Sequence, residues 1–87
     1  MHLIFMNKKP RPSEQYIQKN REVIGKQIRT FREEKGFSQD ELAEIMEVNR
    51  STISKVETGK FAITIDYLVK FAWYLDFNLL LEKKKSK

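Results

Sequence analysis

The sequence predicts an all-α domain of four to five helices, with a strand-like stretch near its carboxyl end. Three observations predict it. Apolar residues recur at three- and four-residue spacing in separate runs, a capping side chain precedes each run, and glycines stand where helices must stop. Eighty-seven residues suffice for one small domain with a single modest core, not for two.

Residues 1–12 carry no sustained period and end in KKPRP, a proline-broken basic segment expected to form a flexible arm. Such an arm could follow phosphates or enter a minor groove; a disordered terminus is the plainer reading, and HLIFM could instead pack on a partner. From Ser13 the residues Tyr16, Ile17, Val23, Ile24, Ile28 and Phe31 keep a helical period, with Ser13 as cap and Gly36 as stop. One long helix fits this run. So does a short helix over residues 13–19 followed by another from Asn20, because Gly25 inside a helix costs about 1 kcal/mol against Ala.

Residues 37–60, FSQDELAEIMEVNRSTISKVETGK, read as two short helices joined by a tight turn. Ser38 begins the first, and Glu41 three residues on completes a capping box. Leu42, Ile45 and Met46 fall on one face, with Ala43 where only a small side chain lets a second helix cross closely. Asn49 can cap the second helix, whose inward residues are Ile53 and Val56, and Gly59 supplies the left-handed stop. Its outward residues are Arg50, Ser51, Thr52, Ser54 and Lys55. That set suits the major groove of DNA: arginine can fork onto guanine O6 and N7, serine and threonine pair with several base edges, and lysine reaches base or phosphate. A polar face is also what any solvated helix presents.

Thr64 can cap a last helix running to about Leu75, with Ile65, Leu68, Phe71, Ala72 and Leu75 facing inward. Trp73 and Tyr74 are then outward aromatics, which either mark an interface or lie beneath the C-terminal segment. In DFNLLLEKKKSK, Phe77, Leu79 and Leu81 alternate with Asn78, Leu80 and Glu82, a strand pattern over residues 77–82, although Asn78 could also cap a short helix. A lone strand has an unpaired edge and needs a twin, so a strand here predicts a homodimer. The expected organisation is an arm over residues 1–12, one domain over 13–82, and a basic tail over 83–87.

The chain carries a formal charge of +5, yet bulk charge does not argue for DNA. Lys8, Lys9, Arg11, Lys83, Lys84, Lys85 and Lys87 lie in the tails, leaving ten positive against twelve negative charges between them, a net of −2. Placement matters more, because Asp40, Glu44 and Glu47 belong to the first helix of the pair and Arg50, Lys55 and Lys60 to the second and its exit. Without cysteine and with a single histidine, His2, the chain offers no disulfide and no metal-ligand cluster, so neither metal nor cofactor is expected. No apolar run approaches the roughly 18 residues of a membrane span, and HLIFM is too short for a signal core. The expected location is cytoplasmic. Neither a nucleophile paired with a base nor a phosphate-cradling glycine loop is evident, which speaks against an enzyme.

The spacing of Gln39, Leu42, Ala43, Val48, Thr52, Ile53, Ser54, Glu57 and Gly59 resembles the phage-repressor and Cro-like helix-turn-helix family, also called Xre. The resemblance runs over residues 24–75 and implies a lambda-repressor-like fold. It further implies base contacts by Arg50, Ser51, Thr52 and Lys55, and backbone contacts by Gln39, Thr58, Lys60 and Arg32. Arg32 and Glu57 match positions where an arginine and a glutamate form a structural ion pair. The chain departs from the family at Glu47, where glycine is usual and positive φ is common; a non-glycine residue there costs on the order of 1 kcal/mol. Trp73 and Tyr74 stand where small or polar residues are more usual, and with Phe77, Leu79 and Leu81 they form the expected dimer interface.

These expectations converge on a homodimeric regulator, most simply a repressor, on double-stranded DNA. Two reading helices related by a two-fold axis would meet half-sites about 34 Å apart, hence a palindromic operator. The C-terminal strand also resembles the antitoxin branch of the family, in which the protein would neutralise a toxin and repress the shared operon. A third reading is a protein-interaction module that keeps the scaffold without reading DNA.

Overall fold

The computed structural model describes residues 9–85. Among them four helices follow in order: α1 Glu14–Glu34, α2 Gln39–Met46, α3 Arg50–Glu57 and α4 Ile65–Leu75. The fold is all-α, with α3 packed on α2 and α1, and α4 on α1. Residues 9–12 of the expected arm form neither helix nor strand, while HLIFM lies outside the described residues.

Local hydrogen bonding fixes the helix starts. Ser13, Ser38 and Thr64 accept from the amides of Tyr16, Glu41 and Tyr67 through their hydroxyl oxygens, satisfying donors that an α-helix leaves unpaired in its first turn. The capping box at Ser38 is complete, with the Ser38 amide donating to Glu41 Oε1 at 2.8 Å. Asn49 is the N-cap of α3 by backbone conformation alone; its side chain makes no capping hydrogen bond.

All four helices end in one way. The amides of Phe37, Val48, Lys60 and Phe77 reach back to the carbonyls of Arg32, Ala43, Lys55 and Ala72 at 3.1, 2.9, 2.8 and 3.1 Å. The residue before each of these is left-handed: Gly36 at φ 80°, Glu47 at 58°, Gly59 at 78° and Asp76 at 59°. This is the Schellman geometry, whose usual apolar residue after the left-handed one turns back onto the helix. Phe37, Val48 and Phe77 do so here, each half-buried against the core. The turn between α2 and α3 is therefore the ordinary one despite Glu47, at the steric cost a β-carbon incurs in that conformation.

Gly25 decides between the two readings of the first run. The single helix forms, and a β-carbon at Gly25 would lie 2.3 Å from the Val56 carbonyl oxygen and 2.7 Å from that of Glu57. No side chain fits. The residue that weakens α1 in isolation lets its backbone meet the end of α3 directly. Nearby, Gln18 Nε2 donates to the Gly59 carbonyl at 3.0 Å and ties the same joint.

The core is Ile28, Leu42, Ala43, Ile53, Val56, Phe71 and Leu75, with Ile24, Phe31, Met46 and Leu68 among the partly buried residues around it. Burying each large aliphatic or aromatic side chain contributes about 1.5–3 kcal/mol. Several residues on the apolar stripes are nevertheless exposed: Ile45, Tyr16, Ile17, Val23, and Ile65 at 66%. A period records which side of a helix is apolar, not how far along that side the neighbouring helices reach.

Residues 77–85 form neither helix nor strand. The strand expected over residues 77–82 is thus not formed within the chain, because a ladder needs a second strand and none occurs among the described residues. The alternative helix capped by Asn78 is not formed either. Phe77 instead stacks on Phe31 with ring centroids 4.9 Å apart, which places it in the chain's own packing rather than on a free interface. Beyond it, residues 78–81 border a groove of about 550 Å³ lined by Ile24, Ile28, Phe31, Ile65 and Leu68. That course leaves Trp73 77% exposed, not beneath the C-terminal segment.

Candidate nucleic-acid interface

The interface is built from α2, the turn at Glu47 and α3. α3 is eight residues long, about two turns, and its sides are sharply different. Ile53, Val56 and Glu57 are buried, which fixes the helix against α2 and α1. Arg50, Ser51 and Lys55 are exposed, and Thr52 and Ser54 are half-buried between the two sides. The side chains expected to read bases are therefore brought together on one surface, with Thr52 at its edge.

A buried polar cluster holds that surface in place. Arg32 Nε donates to Glu57 Oε2 at 2.6 Å and Nη2 to Oε1 at 3.1 Å, a two-pronged contact, while Nη1 donates to the Phe37 carbonyl at 2.7 Å. Gln39 Nε2 donates to Glu57 Oε1 at 3.0 Å. One carboxylate thus joins α1, the start of α2 and the end of α3. Hydrogen bonds with Glu57 hold the Arg32 guanidinium above its ordinary pKa, outweighing the opposing effect of burial. No buried side-chain polar atom among the described residues lacks a partner, and a fully paired cluster of this kind rigidifies where an incomplete one destabilises.

This cluster changes the expected backbone contacts. Arg32 is 7% exposed and three of its N–H groups point inward, so its place is in the frame and not against a phosphate. Thr58 is exposed just past α3, and its hydroxyl donates to the Ser54 carbonyl at 2.9 Å. Gln39 keeps the second proton of its amide, and Lys60 is exposed where α3 ends.

Sequence reasoning missed the approach of Asp40 to Arg50. Its Oδ1 lies 3.5 Å from Arg50 Nε, both side chains being largely exposed. Separation by ten residues, with each partner at the start of a different helix, hides the pair in the sequence. The bond from Gln39 to Glu57 had no sequence signal, since glutamine at a helix start reads equally well as solvated. For the expected dimer interface, Trp73, Tyr74, Leu79 and Leu81 are exposed, unlike Phe77.

Comparison with known proteins gives the same answer as the geometry. A helix-turn-helix family model matches residues 28–80, more than half of the chain. Over 63 residues the chain is 38% identical to an uncharacterized HTH-type transcriptional regulator of Rickettsia conorii. That match covers 72% of this chain and 50% of the relative, so the chain spans about half the length of the curated protein it resembles. No solved structure matches it. With its pair of short helices, the left-handed turn between them and the polar outer side of α3, the chain belongs to the helix-turn-helix family of the phage-repressor, Cro-like and Xre kind.

Proposed function

We propose that the chain is a sequence-specific DNA-binding transcriptional regulator in which α3 enters the major groove. The observation that carries this reading is the joint exposure of Arg50, Ser51 and Lys55 on the side of α3 opposite Ile53 and Val56. Arg50 would fork onto a guanine, Ser51 and Thr52 meet neighbouring base edges, and Lys55 reach a base or phosphate. Gln39 and Lys60 would hold the register on the backbone, which positions without specifying.

The simplest mode of action is repression by a homodimer on a palindromic operator, in the cytoplasm, with residues 13–82 as the DNA-binding unit and basic segments on either side. A single eight-residue helix reads few base pairs, and two copies double the readout. Trp73 and Tyr74 on α4, and Leu79 and Leu81 beyond it, supply exposed apolar surface outside the helix pair, suited to the second copy. The same surface favours a second reading, an antitoxin that also engages a toxin protein, for which a neighbouring toxin gene would be the sign.

Selection of random duplexes by the purified protein, at a stated salt concentration, tests this function. A two-fold symmetric consensus is expected; binding without preference would leave only an interaction module on the same scaffold. Truncation after Asn78 tests the interface: the Phe31–Phe77 stack survives, so a folded monomer is expected, and a dimer by light scattering would move the contact elsewhere.

A further inference from the structure

We propose that Asp40 is a positioning residue for base reading, holding the Arg50 guanidinium by its Nε edge so that the terminal Nη1 and Nη2 fork faces the groove. The inference rests on the reading of Arg50 as a base contact and adds the group that aims it. Arg50 is the first residue of α3 and Asp40 the second of α2, so each Cα is fixed by its helix while the long arginine side chain is not. An unrestrained arginine at a helix start samples many rotamers and can satisfy itself on any nearby phosphate, which adds affinity without specificity. The 3.5 Å approach of Asp40 Oδ1 to Nε engages the guanidinium on its side. End-on presentation of the remaining donors matches the O6 and N7 acceptors of guanine.

The carboxylate also acts against the wrong contact. Asp40 is exposed beside α3, so its charge disfavours phosphates near Arg50 while leaving an uncharged base edge unaffected. Glu41 and Glu44 are on the same helix and Glu47 follows it, but none of them forms an ion pair with Arg50 among the described residues; Asp40 alone does. A purely local explanation exists, since an acidic residue in the first turn of α2 favours the helix's amino end. That role would lower stability and weaken binding to all sequences alike, whereas positioning predicts an effect at one base position.

The test is Asp40→Asn measured by competition between the selected operator and operators substituted singly at each position of a half-site. Discrimination at the Arg50 position should fall about three- to tenfold, the lower part of the range for removing one of two coupled residues, as suits an exposed pair. Affinity for an unrelated duplex should rise, and the other positions should keep their preference. In an Arg50→Ala background the same substitution should change nothing at that position. Asp40→Ser, which keeps a good first-turn residue, should reproduce the effect and guards against a folding artefact. Undiminished discrimination in Asp40→Asn would overturn the proposal, as would an equal loss in the Arg50→Ala background, which would make Asp40 a reader itself. If the wild-type protein selects no consensus, or Arg50→Ala leaves every preference intact, the parent reading fails first, an outcome distinct from these.

Discussion

Arg32 and Arg50 each stand beside a carboxylate on another helix, one at 7% exposure within the frame and one on the surface proposed to meet DNA. Arg32 makes a two-pronged contact with Glu57 and a third bond to the Phe37 carbonyl. Arg50 meets Asp40 by one edge at 3.5 Å. Setting separates them more than chemistry does. Away from water, an arginine that released its carboxylate would leave two uncompensated charges, so Arg32 is committed to joining α1 to α3. In water the alternative to Asp40 is solvent, or a better partner, and Arg50 can therefore exchange one contact for another as DNA approaches. Fixing a helix and reading a base thus call for the same residue type under opposite degrees of desolvation.

Substitutions can break or sharpen this contrast. The largest effect is expected from Glu57→Ala, which strands Arg32 and unties Gln39: unfolding by denaturant should show a loss of about 3–5 kcal/mol, and an unshifted midpoint would reduce the buried pair to an ordinary surface one. Gly25→Ala acts on the same joint through sterics. Although alanine is the better helix former by about 1 kcal/mol, the clash with two backbone oxygens of α3 should destabilise by about 1–3 kcal/mol; a higher melting temperature would show that α1 and α3 do not meet so closely.

At the exposed pair the expectation reverses. Arg50→Ala should leave unfolding within about 0.5 kcal/mol of wild type while costing about 1–3 kcal/mol of operator affinity and relaxing preference at one base position. Equal losses in stability and binding would erase the distinction between the two arginines. The smallest effect concerns the turn that links them: Glu47→Gly should stabilise by about 1 kcal/mol by removing a β-carbon from a left-handed position, with base preference unchanged. Calorimetry alongside a binding-site selection would detect either failure.

Much of the frame is legible in the residues. Ser13, Ser38 and Thr64 announce the helix starts, Gly36 and Gly59 two of the four stops, and the contacts of Leu42, Ala43, Ile53 and Val56 follow from spacing. Asp76 escaped notice as a left-handed stop because a polar residue there has no distinctive mark, yet its amide and that of Phe77 both return to the Ala72 carbonyl and its carboxylate meets Lys35. Phe77 likewise fits a strand by alternation, and its stack on Phe31 depends on the turn that Asp76 makes.

What the sequence determined by itself was every feature set within a few residues: caps, stops, apolar stripes, and the set of polar side chains on the outside of α3. Each rests on hydrogen bonds or sterics between near neighbours, which the order of residues specifies directly. Tertiary structure alone decided that Gly25 is a point of helix contact, that Gln39 joins the Arg32–Glu57 pair, that Asp40 faces Arg50, and that Ile65 and Trp73 stay uncovered. Those depend on where separate helices come to lie, and that placement is a property of the packed core as a whole rather than of any one stretch of chain.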